Sequence, residues 1–568
     1  MKTKKRIAIV GGGPSALFLF KRLIHSGISD FEVDIFERKK VLGAGMPYSQ
    51  EGANREHITN VSGNETPELV SSVVEWLKEQ PNELLKSFDI DITTINDYKV
   101  LPRLLFGYYL TAQFDLLLQI ASDLKIKTTV RYESEVLDIK YDNENKEVWL
   151  YTSQSELKFD DVIICTGHSW PSKWEGKHEG CFDSPYPPSK LELNLNHPVA
   201  LRGSSLTAID AIRTLARKNG KFSTDEDGNL NYTLNKESTN FSIVMHSREG
   251  LLPALRFHLE DSHLSNDSLL TPEEIQDHKD NNDGFLSLDY IFQKDFKDIF
   301  KDKDPDFYPK IKDLKIEEFV DAMMELRIRL DSFQLLKAEY IEAEKSIKRQ
   351  ESIYWKEMLA VLSFAMNHPA KYFSAEDMER LHKVLMPLIS IIIAFVPQKS
   401  CIDLLALYQA GVLSIVSVGH DSEIEPQEEG IIYKYYDEKN TLHSQSYRTF
   451  IDCVGQPHLS FKDFPFASLK ADKNVSAARL RFQNNKMGKL ALSKGDSSVE
   501  VDSQGNYYRT VSGISINDKF QILDHYGAYN ENIYIMAVPY IGGFNPDYSG
   551  LDFCEATSLH IVKSILGM

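Results

Sequence analysis

Three consecutive glycines, Gly11-Gly12-Gly13, follow the apolar run Arg6–Val10 and precede apolar residues at helical spacing (Ala16, Leu17, Leu19, Phe20, Leu23, Ile24). A strand that ends in a glycine turn and restarts as a helix commits the chain to a crossover unit. Gly27 stops the predicted helix Pro14–Ser26, and Phe31–Phe36 reads as the next strand. Gly11, Gly13 and Ala16 meet the spacing G-x-G-x-x-[GA]. Gly11 allows the tight turn, Gly13 lets the backbone approach a pyrophosphate, and Ala16 permits close helix–strand packing. Pro14 and Ser15 open the helix, whose free N–H groups suit an anion. Glu37 ends the second strand, where a carboxylate accepts hydrogen bonds from ribose hydroxyls. These elements, in register, predict a dinucleotide-binding βαβ unit from Ile7 to Glu37.

A second, weaker copy begins near Pro198. Val199–Arg202 reads as a strand, Gly203-Ser204-Ser205 as the turn, and Leu206–Lys218 as an amphipathic helix opened by Leu206 and Thr207. Ser205 replaces the middle glycine of the spacing, and serine is still small enough for close approach. The acid expected after the next strand, Phe241–His246, is missing; Ser247-Arg248 stands there. A hydroxyl and a guanidinium suit a 2′-phosphate, which favours NADPH over NADH. The alternative is that Arg248 pairs with Glu249 or another surface acid.

Length and charge narrow the class. At 568 residues the chain exceeds one typical domain. A formal charge of -19 repels phosphate backbones, which argues against nucleic acid as a partner. The strongest apolar run recognised, Val384–Val396, is broken by Pro387 and too short for a membrane span, so it reads as a buried core helix. The basic start MKTKKR precedes too short an apolar run for a signal peptide. Five scattered cysteines without a CxxC pair suggest neither disulfides nor zinc and fit a reducing, cytoplasmic setting. Gly220–Asn240 reads as a hairpin or loop insertion, Ile316–Leu362 as one long charged helical segment, and Ile533–Val538 with Gly550–Leu566 as a closing strand and helix.

Several motifs occur in a fixed order: GGGPSA (Gly11–Ala16), FERKKVLGAGMPYS (Phe36–Ser49), EHITNV (Glu56–Val61), LPRLLFGYYL (Leu101–Leu110), ICTGHSWP (Ile164–Pro171), GSSLTAID (Gly203–Asp210), SREGLLP (Ser247–Pro253) and IDCVGQP (Ile451–Pro457). The set resembles the bacterial FAD–NAD(P)-binding protein family related to N-hydroxylating and other two-dinucleotide flavoprotein monooxygenases. The resemblance implies FAD on the first loop. It places Gly43 and Gly45 near the flavin, Arg38 on the adenosine side, and the Val136 backbone against adenine. His57 and Asn60 match an H-x-x-N signature near the isoalloxazine or, alternatively, cap a loop. Arg103 is a charge near the cofactor or a solvated residue. Thr166 and Gly167 belong to the stretch linking the two domains, where Cys165 is a small buried residue rather than a redox nucleophile. Relatives end the last strand in Gly-Asp; Ala537-Val538-Pro539 stands here, so the flavin end rests on the helix starting at Gly550-Leu551. The stretch Gly180–Pro187 resembles the end of the Baeyer–Villiger and flavin-containing monooxygenase fingerprint, but its histidine is not in place.

The expected fold is α/β, with two Rossmann-like domains and a helical insertion. The FAD domain spans 1–197 and 447–568, the NAD(P) domain 198–264 and 398–446, and the insertion 265–397. The expected function is an FAD-dependent oxidoreductase using NADPH, a monooxygenase acting on a small molecule with oxygen through a hydroperoxyflavin. The alternatives are a reductase or dehydrogenase without oxygenation, and a non-enzymatic nucleotide-binding interaction protein. The catalytic acid or base is not assignable, and no metal site is expected.

Overall fold

A computed structural model describes residues 4–259, 269–367, 369–437, 439–456, 458–546 and 550–568. The expected boundary at 264/265, Pro457 of the last motif, and Met1–Thr3 of the basic start lie outside the described residues.

The first glycine turn sits at the centre of a six-stranded sheet ordered Gln521–Leu523, Tyr529–Ile535, Asp161–Ile164, Lys5–Val10, Phe31–Phe36, Lys127–Arg131. Every pairing is parallel except that of the first two strands. Ile7, Ala8 and Ile9 are fully buried, as parallel strands covered on both faces require. Helices Pro14–Ile24 and Leu551–Leu566 pack together on this sheet. The last strand thus returns beside the first crossover although more than 350 residues intervene.

The second glycine turn follows the central strand of an all-parallel sheet ordered Cys181–Phe182, Thr449–Asp452, Pro198–Arg202, Ser242–Ser247, Leu413–Ser417. This sheet reaches beyond the expected 198–264 and 398–446 segments at both ends. The cause is the run Thr449-Phe450-Ile451, buried throughout, which fits only beside the central strand and carries Cys181–Phe182 on its outer edge. The polar stretch after helix Leu206–Asn219 is a hairpin, Gly220–Thr224 with Leu230–Leu234.

The segment expected as one charged helix is three: Ile316–Arg329, Ser332–Arg349 and Tyr354–Met366. The Asp331 carboxylate accepts the N–H groups of Phe333 and Gln334 and so starts a new helix, and Gln350, at φ 55°, ends it. Around Pro387 the chain makes a π-helical turn, Leu381–Leu385, then helix Met386–Ile392, with Leu388, Ile389 and Ile392 buried as expected. These middle helices share one apolar core with the six-stranded sheet, the first unit, and Phe333, Leu336, Ala343 and Ala360 join the core of the five-stranded sheet, the second unit. Among the described residues one helix, Arg103–Asp123, is long and apolar enough to cross a membrane, which the sequence reading missed. It lies in the first unit's core through Leu105, Phe106, Tyr109, Leu110, Phe114 and Leu117.

Candidate functional site

The strand Lys5–Val10 delivers Gly11 to the turn at φ 108°, and a Cβ there would stand 2.6 Å from the Cys165 carbonyl oxygen. Only glycine fits this close approach of turn and neighbouring strand. Gly13 caps helix Pro14–Ile24 with no side-chain hydrogen bond, and Pro14 has no N–H, which leaves the N–H groups of Ser15 and Ala16 at the helix start without a cap. Gly45 packs on this turn: its Cβ would meet Gly13 Cα at 3.3 Å and Pro14 Cδ at 3.0 Å. The Gly43 N–H donates to the Gly12 carbonyl at 2.7 Å. Glu37 takes the Gly12 N–H on Oε2 and the Lys39 N–H on Oε1, both at 2.8 Å. Each oxygen keeps a second lone pair for a hydroxyl. The Ser134 N–H donates to the Glu37 carbonyl at 3.0 Å, which brings Val136 close to the end of the Phe31–Phe36 strand. Arg38 is exposed, 3.9 Å from Glu51.

Across the turn, Thr166 holds a buried hydroxyl without a protein partner, and Gly167 beside it is open. The uncapped helix start, the glycine cradle, the ribose-type carboxylate and this hydroxyl fit the pyrophosphate and adenosine half of a dinucleotide. Gly550 precedes helix Leu551–Leu566, again with no side-chain cap, and Leu551 is buried. One residue on, burial and then the nearby Glu65 and Glu555 carboxylates push Asp552 up to about 7, and its Oδ1 is buried without a partner. All five cysteines are free and buried. Burial pushes the Cys165 thiol well above its usual range and Cys554 up to about 12, so neither is a thiolate nucleophile.

The second turn repeats the geometry. Gly203 has φ 106°, with its Cβ position 2.8 Å from the Cys453 carbonyl oxygen. Ser205 caps helix Leu206–Asn219 without a side-chain bond, and Leu206 and Thr207 form its first turn. Ser204 is committed to the Leu251 carbonyl at 2.6 Å. At the end of the next strand the Ser247 hydroxyl is buried without a partner, and Arg248 is exposed with no ion pair among the described residues. The uncapped helix start, the Ser247 hydroxyl and the exposed Arg248 fit a second nucleotide, without a ribose-type carboxylate. A cleft of about 520 Å³ opens between the two units, lined among others by Arg38, Met46, Glu51, His168, Trp170 and Tyr186.

His57, Asn60 and Arg103 lie at the joint between the units, and Arg103 is buried in an ion pair rather than solvated. His57 is fully buried; its Nδ1 accepts the Asn54 N–H at 3.0 Å, so the proton is assigned to Nε2. Nε2 faces the Asp210 carbonyl at 3.2 Å and Thr214 Oγ1 at 3.0 Å, and burial lowers the imidazole's pKa. Arg103 donates to Asp210 Oδ2 at 2.7 Å and to the Gly52 carbonyl at 3.2 Å. Tyr186 donates to the same Asp210 oxygen at 2.7 Å. Burial alone would raise the Asp210 carboxyl, and the Arg103 guanidinium brings it below its usual range. Asn60 offers its carbonyl to Arg256, which also binds Ser62 Oγ at 2.7 Å and the Glu65 carboxylate. A short sequence motif names the residue types but not their partners across the joint, which lie 107 to 196 positions away. Asp210, Tyr186 and Arg256 carried no sequence signal of their own beyond lying in or near matched motifs.

Parts of the chain are similar to known proteins. Residues 8–169 match the family model described as FAD-NAD(P)-binding, and residues 271–393 match the YdhS-like middle domain. The chain is 29% identical over 475 residues to the uncharacterized protein YdhS of Escherichia coli (strain K12), spanning 82% of this chain and 86% of that one. It is 26% identical over 241 residues to the flavin-containing monooxygenase FMO GS-OX3 of Arabidopsis thaliana, a match spanning 38% of this chain and 47% of that protein. Among solved structures, the FAD-bound cadaverine monooxygenase DfoA of Erwinia amylovora superposes with a TM-score of 0.45 at 12% identity, over 100% of this chain and 95% of that one. The chain therefore carries an FAD-NAD(P)-binding domain at residues 8–169 and a YdhS-like middle domain at residues 271–393.

Proposed function

We propose that this protein is an FAD-dependent oxidoreductase that takes electrons from NADPH and oxygenates a small-molecule substrate. The observation that carries the reading is the repeated site: two glycine turns on the central strands of two parallel sheets, each leading to a helix start with no side-chain cap. One such turn supports a bound nucleotide; two on facing units support transfer between nucleotides.

In this reading the start of helix Pro14–Ile24 holds the FAD pyrophosphate, Glu37 orients the adenosine ribose, and Thr166 donates its buried hydroxyl. The start of helix Leu551–Leu566 directs its positive end at the flavin ring. Ser205, Leu206 and Thr207 receive the NADPH pyrophosphate, while Ser247 and Arg248 take the 2′-phosphate. Bound FAD supplies acceptance of two electrons from a nicotinamide and their delivery to oxygen. The chain's part is to align the two rings and to exclude water from between them. The middle helices, packed against both units, wall the substrate site.

The oxygenase step is tested by reducing the FAD-loaded protein anaerobically with NADPH and mixing it with oxygen and a panel of amine, thioether and ketone substrates. Substrate-dependent gain of one oxygen atom, traced from labelled dioxygen, is the expected result. Recovery of all the electrons as hydrogen peroxide, whatever the substrate, would establish the reductase alternative.

A further inference from the structure

The two buried ion pairs across the joint are reciprocal. The first unit contributes Arg103 and Glu65, and the segments around the second glycine turn contribute Asp210 and Arg256. All four side chains are largely buried, at 16%, 7%, 6% and 5% exposure respectively. Both pairs spring from one feature, the two-stranded ribbon Ile58–Ser62 with Val100–Pro102, in which Ile58 faces Pro102 and Ser62 faces Val100. His57 and Arg103 flank one end, joined by the Arg103 N–H to the His57 carbonyl at 2.8 Å. Ser62 and Glu65 form the other end, where the Ser62 N–H donates to Glu65 Oε2 at 2.9 Å. The first end grips helix Leu206–Asn219 through Asp210 and Thr214. The second takes Arg256 at the root of the middle helices, where the Arg256 N–H donates to the Val396 carbonyl at 2.9 Å and Gln398 donates to the Arg256 carbonyl.

We propose that this ribbon is a docking bracket that holds the second dinucleotide unit in one fixed relation to the first, and that Asp210 is its central positioning residue. One carboxylate receives Arg103 from the first unit and Tyr186 from the stretch between strands Cys181–Phe182 and Pro198–Arg202 of the second sheet, and it projects from the helix whose start forms the second nucleotide site. Placement of that helix therefore sets where a nicotinamide falls relative to the first site. A swing of the second unit would break both ion pairs and uncover the buried His57 and Arg256. The two ion pairs and the His57 hydrogen bonds specify the docked arrangement, and in the proposed function transfer proceeds in it. The H-x-x-N residues His57 and Asn60 thereby act in docking, one through its ring and one through its carbonyl. The bracket stands on geometry alone; its consequence for transfer rests on the function proposed above.

The test pairs Asp210→Asn with the milder Tyr186→Phe. Hydrogen exchange without cofactor is expected to speed up in Ile58–Ser62 and Leu206–Asn219 together, more in Asp210→Asn than in Tyr186→Phe. In the FAD-loaded proteins, anaerobic stopped-flow reduction by NADPH should show a limiting rate lower by on the order of tenfold or more in Asp210→Asn, with the half-saturating NADPH concentration unchanged. Should Asp210→Asn not fold, Tyr186→Phe carries both readouts. Wild-type exchange in the ribbon, or a wild-type limiting rate, would overturn the proposal. Failure of the native protein to take up FAD counts against the proposed function, while exchange still decides the bracket.

Discussion

Glu37 Oε2 accepts the backbone N–H of Gly12 at 2.8 Å, which ties the end of the second strand to the middle of the first glycine turn. The same carboxylate is therefore both part of the turn and the group aimed at a ribose. Hydrogen bonds to a charged acceptor are worth about 1.5–3 kcal/mol each. Glu37→Gln removes the charge and turns a donor toward one N–H, so the FAD dissociation constant should rise roughly 10- to 100-fold. Titrating apoprotein with FAD by fluorescence checks this; unchanged affinity would show that the ribose lies elsewhere.

Two glycines of the turn should separate folding from binding. Gly11, at φ 108° with a Cβ position 2.6 Å from a carbonyl oxygen, cannot take a side chain without strain. Gly11→Ala should cost at least about 2 kcal/mol of stability. Gly13 sits at φ −81°, and its Cβ would meet Gly45 Cα at an ordinary 3.4 Å. Gly13→Ala should leave the urea midpoint nearly unmoved yet weaken FAD binding, because the added methyl points where the pyrophosphate approaches. Equal loss of stability in both variants would count against that assignment.

Arg248 discriminates between the two nicotinamide nucleotides. It stands exposed and without an ion pair among the described residues, next to the unpartnered Ser247 hydroxyl. Arg248→Gln should raise the KM for NADPH by about tenfold or more and leave that for NADH nearly constant. Steady-state reduction of a dye acceptor with each nucleotide measures the ratio. A parallel change for both would place the 2′-phosphate away from Arg248.

Asp552 makes stability depend on pH near neutrality. Burial and its acidic neighbours raise its carboxyl to about 7, well above its unfolded value. Between about pH 4 and pH 7 the folded state then holds a proton that the unfolded chain has released, so this group's contribution is lost as pH rises through that window. Asp552→Asn should stabilise the protein at pH 8 by on the order of 1–3 kcal/mol and have little effect at pH 4. Urea unfolding at the two pH values decides it; an equal effect at both would mean that Asp552 does not titrate there.

Both glycine turns were legible in the sequence because their demands are local. A positive φ, a close carbonyl and a helix start are all met within six residues, so Gly11–Ala16 and Gly203–Ala208 announce themselves. The hairpin at Gly220–Leu234 was legible for the same reason. The docking contacts were not. Arg103 and Asp210 are 107 residues apart and Glu65 and Arg256 are 191 apart, and no local pattern specifies which charge meets which. The H-x-x-N motif therefore names His57 and Asn60 without revealing their partners Asp210, Thr214 and Arg256 across the joint. The middle helices ran together in the sequence because charged residues continue across Asp331 and Gln350. There a side-chain cap and a single left-handed residue break the helices without changing the charge pattern.

Transfer of electrons from NADPH to FAD within one chain is read from the visible spectrum of the purified protein. The protein as isolated, or after FAD addition and gel filtration, should hold about one flavin per chain, and anaerobic NADPH should bleach that absorbance while NADH does so only at much higher concentration. Protein that stays colourless after FAD addition, or a bound flavin that NADPH leaves oxidised, would contradict the account.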